Sequence, residues 1–390
     1  MKIVHISFTY KDNLGYQENI LPKYHFQMGN DVTVISSREK SANIYNDYNG
    51  DEYYIDGVKI KRISIRASYF NNRIILYKDL YKQLVIEQPD LIFFHNIQSI
   101  SLLKVFKYCN EYNSCKLVCD NHADYYNSAN GFISKYILHK IFWKSIISHC
   151  LPSIHKIYGV SPWRVKFCNE LYGIPLEKLD YLPLGADDDK IDFSRKSKIR
   201  NIIREELSIP DDAVVFITGG KIDEAKGINN LIKALIKVRK QETYLVIFGS
   251  PTPDFKKQFY SCIENHQWVI YIGWIPAEKV YSYFLSSDVA IFPGTHSVLW
   301  EQSVGSGLPI ILKYWPMMDN FGDGNCIYIH SDEKIELEDA ISSIILDPLL
   351  LNSMKEVAME FGPKMFSYKR IAKKVIDDSR KTTLIVKDNQ

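Results

Sequence analysis

The sequence contains no apolar run approaching the roughly 18 residues that a membrane span needs, and Met1 to Phe8 lack the long uncharged stretch of a secretory signal. The expectation is a cytoplasmic protein. A strong charge imbalance is missing too: 48 Lys and Arg stand against 46 Asp and Glu, and a net charge of +2 argues against nucleic acid as a partner. Cysteine is sparse. Cys109, Cys115, Cys119, Cys150, Cys168, Cys262 and Cys326 are odd in number and show no Cys-x-x-Cys spacing, so they read as reduced packing residues. Neither the phosphate loop of NTPases nor a Gly-x-Gly-x-x-Gly fingerprint occurs. Asp187-Asp188-Asp189 reads as solvated acids at a linker, and no metal or other cofactor is expected.

What is present is α/β periodicity, in a chain of 390 residues that is too long for one ordinary core. Lys2 to Phe8 alternates as a strand, a polar loop follows over residues 10 to 16, Gln17 to Gln27 has helical spacing, and Asp31 to Ile35 is the next strand. Such a β-α-β opening implies a parallel sheet. Gly15, Glu18 and Asn19 stand where loop becomes helix, either as turn residues and a dipole-complementing acid or at a cleft on the sheet's carboxyl edge. Residues 40 to 56 read as a surface excursion, Gly57 to Ser64 as a strand, Ile75 to Glu87 as a helix, and Asp90 to His95 and Cys115 to Asp120 as buried strands. His95 and His122 therefore lie at strand ends, and acids flank His122.

From Tyr125 to Asn169 there is no acid, while Lys135, Lys140, Lys144, Lys156, Arg164 and Lys166 all fall inside. Between Ile133 and Ile147 the residues Ile137, Leu138, Ile141, Phe142 and Ile146 share one face of an expected helix. It either covers the sheet or rests on anionic lipid, giving peripheral membrane contact through 133–147. The charged, core-poor segment Asp187 to Glu206 reads as the boundary between two halves, after which the strand and helix alternation restarts at Ala213.

Ala213 to Thr218 runs into Gly219-Gly220, a short polar loop, and a helix near Gly227. The glycines admit close approach of a ligand, and Lys221 and Lys226 bracket the loop, either as a solvated pair or as two ammonium groups converging on a diphosphate. Further on, Gly249, Gly273 and Pro293-Gly294 close strands, and Glu301-Gln-Ser-Val-Gly-Ser-Gly-Leu-Pro309 follows Thr295-His296-Ser297.

With these motifs in line, the chain resembles the retaining GT-B glycosyltransferases of family 4 over nearly its whole length. The resemblance implies two Rossmann-like domains with parallel sheets facing across a cleft. An acceptor-side domain would span 1–192, with a C-terminal helix at about 366–390 crossing back, and a donor domain 193–365. In such enzymes a Gly-Arg-x4-Lys-Gly loop holds the donor's diphosphate. Lys221 stands at the arginine position and Lys226 at the lysine, ahead of Gly227. A cation near 4 Å contributes on the order of 4 kcal/mol to the departing charge at an effective dielectric of 20.

Gly220, Gly227, Gly249, Thr295, His296, Ser297, Glu301 and Gln302 would line the donor, with Glu301 preferred over Gln302 as ribose ligand because a carboxylate accepts from both vicinal hydroxyls. The first acid of the family's Glu-x7-Glu has no counterpart. His122 would join Lys221 and Lys226 as catalytic, and Gly15, Glu18 and Asn19 would border the acceptor or phosphate side. The implied reaction moves a sugar from a UDP- or GDP-linked donor to a glycan or lipid-linked acceptor in bacterial surface polysaccharide assembly. A nucleotide-sugar epimerase and a catalytically lapsed binding protein are the competing readings.

Overall fold

The computed structural model describes residues 1–8, 10–12, 14–38, 51–69, 74–331 and 334–381. Most of the 40–56 excursion, and residues 382–390 of the expected terminal helix, lie outside the described residues. The chain forms two compact units, Met1–Pro183 with Ile371–Gln390, and Leu184–Arg370.

The first unit holds, in chain order, β1 (Lys2–Ile6), α1 (Gln17–Gln27), β2 (Asp31–Ser37), β3 (Glu52–Ile55), β4 (Val58–Ile63), β5 (Ile65–Tyr69), β6 (Ile74–Tyr77), α2 (Leu80–Glu87), β7 (Leu91–Phe94), α3 (Leu102–Glu111) and β8 (Lys116–Asn121). A π-type helix, Ile133–Trp143, then runs into α4 (Lys144–Cys150), followed by β9 (Ile154–Gly159), α5 (Pro162–Tyr172) and β10 (Leu179–Tyr181). The sheet order is β10-β9-β8-β7-β1-β2-β4-β3. Every neighbouring pair is parallel except the β3–β4 hairpin. Central strands of such a sheet are covered on both faces, which is why Leu91-Ile-Phe-Phe94 is apolar throughout.

Three segments differ from expectation. Ile75 to Glu87 is not one helix: Ile74–Tyr77 pairs with β5, and helix begins only at Leu80, after Asp79. Asp187 to Glu206 is not core-poor throughout, since it contains α6 (Lys196–Glu206), where Arg204 is buried and its guanidinium lies 2.7 Å from Asp288 Oδ2. Over 133–147 the apolar residues do not share one face. The Lys144 N–H reaches the His139 carbonyl, an i→i+5 step that turns less per residue than an α-helix. Leu138, Phe142 and Ile146 pack on the core with Trp143 and Ile147, whereas Ile133, Ile137 and Ile141 are left in solvent.

The second unit continues with β11 (Val214–Ile222), α7 (Ile228–Val238), β12 (Thr243–Pro251), α8 (Lys256–Ile263), β13 (Val269–Gly273), α9 (Ala277–Ser286), β14 (Val289–Phe292), α10 (Leu299–Gly305), β15 (Ile310–Lys313), β16 (Cys326–Ile329), α11 (Lys334–Leu346) and α12 (Pro348–Met365). Its six parallel strands run β13-β12-β11-β14-β15-β16. Helix α13 (Tyr368–Arg380) then returns the chain to the first unit. There Ile371, Ala372, Val375 and Ile376 are buried, Lys374 Nζ lies 2.5 Å from Asp180, and Tyr158 donates to Asp378 at 3.0 Å.

Candidate functional site

In the second unit the candidate residues gather at the carboxyl ends of β11, β12 and β14. Strand β11 runs further than the sequence implied, so Gly220 and Lys221 pair with Gly249 and Ser250 inside the ladder. Gly220 (φ 103°) and Gly249 (φ 113°) take backbone angles that side chains rarely adopt, and a Cβ on Gly249 would fall 1.8 Å from the Gly220 carbonyl oxygen. The remaining loop, Asp223 to Gly227, is stitched to the one after β14. Thr295 N–H donates to the Ala225 carbonyl at 2.9 Å, and Lys226 Nζ donates to the carbonyls of Thr295 and His296 at 2.8 and 3.1 Å.

The two lysines differ in setting. Lys221 is two-thirds exposed and ion-paired with Asp223 at 2.9 Å. Lys226 is partly buried: desolvation lowers its pKa from the ordinary lysine value, Asp223 opposes this, and Lys221 adds to it. The ammonium groups are thus near enough to feel each other. Beyond the loop, His296 Nε2 lies 2.8 Å from Glu301 Oε1 while Trp300 packs edge-on against the imidazole. Glu301 is buried, and its Oε2 has no hydrogen-bond partner. A buried carboxylate oxygen left open in this way fits an acceptor of ligand hydroxyls. Gln302 is buried as well, while Ser297 is half-buried.

In the first unit His122 follows β8 and its Nε2 lies 3.4 Å from Asp120 Oδ2. Burial works against a charged ring there, but Asp120, with Glu18 in support and Arg164 opposed, carries its pKa above the ordinary histidine value. Asp120 is fully buried; despite that, His122 and His95 hold its carboxyl below the usual aspartate range. Glu18 therefore belongs to the surroundings of His122. Asn19 instead donates to the Lys11 carbonyl at 2.7 Å and steadies the loop before Gly15. Asp124 caps the next turn through Tyr126 and Asn127 and meets Arg164 at 3.2 Å. Among the described residues, no three His, Cys, Asp or Glu are placed to hold a metal ion.

Sequence reasoning missed His5, His25 and His139, and took Asp120 only as an acid flanking His122. Seven of the ten histidines fall before Pro183, a concentration that was legible as a signal. Five of those, His5, His25, His95, His122 and His139, are drawn into hydrogen-bonded or ion-paired contacts in the interior or at its edge.

Residues 199–361 match the family model described as Glycosyl transferases group 1. The chain therefore carries a group 1 glycosyltransferase domain. The full GT-B fold is common to solved glycosyltransferases: Anabaena HepE in complex with UDP superposes with a TM-score of 0.71 at 15% identity, over 97% of this chain and 99% of that one. Sucrose-phosphate synthase from Thermosynechococcus elongatus gives 0.68 at 13% identity, over 96% and 97%. Among curated relatives, the alpha-monoglucosyldiacylglycerol synthase of Acholeplasma laidlawii is 25% identical over 179 residues, 44% of each chain. The aligned stretches span 38 to 44% of the curated relatives' lengths.

Proposed function

We propose that this protein is a retaining glycosyltransferase that moves a sugar from a nucleoside-diphosphate sugar to a glycan or lipid-linked acceptor in bacterial surface polysaccharide assembly. The observation that carries the reading is the glycine-walled loop pair of the second unit. Gly220, Gly227 and Gly249 take the positive backbone angles that bring the two loops close together, Lys221 and Lys226 supply positive charge for a diphosphate, and the unpaired oxygen of Glu301 accepts from ribose. As the sugar–phosphate bond breaks, its electron pair passes to the diphosphate, where the lysines oppose the new charge. Within the first unit, His122 is the proposed catalytic group.

Nucleoside diphosphate release, measured with UDP- and GDP-sugars with and without glycan acceptors, tests the reading. Acceptor-dependent release supports transfer, conversion of a UDP-sugar without acceptor identifies an epimerase, and thermal stabilisation without turnover identifies a binding protein. We also propose that the acceptor is reached at a membrane surface. No helix among the described residues is long and apolar enough to cross a membrane. Yet Phe132, Ile133, Ile137 and Ile141 are exposed together beside Lys135 and Lys140, a composition suited to the interface of anionic lipid.

A further inference from the structure

Three buried histidines that the proposed reaction leaves unused, His25, His5 and His95, form one line through the first unit. Nε2 of His25 lies 3.1 Å from the Ala372 carbonyl oxygen, and its Nδ1 lies 2.9 Å from Nε2 of His5. Nδ1 of His5 lies 3.1 Å from Nε2 of His95, whose Nδ1 lies 2.9 Å from Asp120 Oδ2. Both ends of the line are oxygens that accept: an amide carbonyl and a carboxylate. The four contacts require four hydrogens, and three neutral imidazoles carry three. However the tautomers are arranged, one contact then sets two lone pairs face to face in a buried place, which is costly. One more proton satisfies every contact. It also cancels the charge of Asp120, leaving the line neutral where uncompensated charge is least tolerated.

We propose that the line from His25 through His5 and His95 to Asp120 holds this additional proton at neutral pH and thereby makes Asp120 the positioning residue of His122. The inference rests on the reading of His122 as a group of the transfer site. The proton belongs at the Asp120 end. Burial holds His25 at about 4 and His5 well below the ordinary histidine value, and the neighbour stacked on His5 is the uncharged ring of Phe93. Around Asp120 the facing groups are His95, His122 and the Asn96 N–H, which donates to Oδ1 at 2.6 Å. Glu18 and Arg164 act on His122 from further away, with opposite signs. His95 and His122 share one carboxylate oxygen, so charge neutralised from the His95 side is not felt by His122. Through the Ala372 carbonyl the line begins on α13, and this ties the terminal helix to the charge state of a site residue.

Nitrogen-15 NMR of the full chain with labelled histidine, at pH 7.5, counts the protonated ring nitrogens. Four N–H among His5, His25 and His95 are expected; three overturn the proposal. His25→Phe removes two contacts and leaves two imidazoles with two hydrogens to supply, so the additional proton is no longer required and Asp120 keeps its full charge. The titration midpoint of His122 then rises by about one pH unit. The pH profile of nucleoside diphosphate release moves with it, which a loss of packing would not cause. A midpoint that stays put in folded His25→Phe also overturns the proposal, and if that variant does not fold, the native count decides alone. The count needs neither donor nor acceptor, so four N–H in a protein without transferase activity rejects the reaction and leaves the line standing.

Discussion

Lys226 joins two roles in one side chain. Its ammonium donates to the carbonyls of Thr295 and His296, which keeps the loop after β14 against the loop after β11, and it stays charged beside the proposed diphosphate. Lys226→Ala is expected to lower the rate of nucleoside diphosphate release by about 100-fold, on the scale of other donors to developing negative charge. The melting temperature should fall by a few degrees, since two hydrogen bonds between the loops are lost but no core packing is. Steady-state kinetics beside thermal unfolding checks both halves. Glu87 shows the opposite case, a residue whose charge serves stability. Its buried carboxylate meets Lys61, Lys59 and Lys2 at 2.8, 3.1 and 3.0 Å, and although burial opposes ionisation these cations hold its pKa at about 2. A folded value below the ordinary 4.5 means that the stabilisation is complete above that range and is lost as pH falls from 4.5 towards 2. Allowing for water around the partly exposed lysines, it amounts to about 2 kcal/mol at neutral pH. Denaturant unfolding of Glu87→Gln should show that deficit at pH 7 and almost none near pH 2.

Among the elements, the π-type helix is where sequence pattern and structure part. Apolar residues at 137, 138, 141, 142 and 146 fit one broad stripe at 3.6 residues per turn, but the wider winding splits them into a buried row and an exposed row. Nothing in residue type announces an i→i+5 ladder. Trp143→Ala should therefore cost about 3–5 kcal/mol, as truncation of a buried aromatic does, while Ile137→Asp with Ile141→Asp should leave stability nearly unchanged. Flotation with vesicles rich in anionic lipid reads the other consequence: the double variant should stay unbound while the native chain floats. The regular βαβ elements were legible, because strands such as Leu91–Phe94 and Val289–Phe292 are apolar end to end and are bounded by turn residues. The proposed donor loop was legible as a loop, its glycines and lysines being adjacent in sequence. His5 and His25 were not, since one sits inside a central strand and the other inside a helix, and only the fold brings 5, 25, 95 and 120 into one line.

At the scale of the whole molecule, the first unit depends on residues far from it in sequence. Removal of residues 371–381 would expose the apolar face that Ile371, Ala372, Val375 and Ile376 cover and would take Lys374 from Asp180 and Asp378 from Tyr158. Hydrogen exchange of such a truncated chain should rise across β1, β9 and β10 and change little in β11 to β16. Equal loosening of both units would contradict the assignment of this segment to the first. The order of synthesis gives the same feature a further meaning. On a ribosome, the segment that completes the first unit emerges only after residues 184–370 have been made, a delay of roughly 10 to 40 s at about 5–20 residues per second. Through that interval the nascent amino-terminal sheet waits with an uncovered seam, so a chaperone that shields it would raise the yield of this chain more than that of one whose first unit closes on itself.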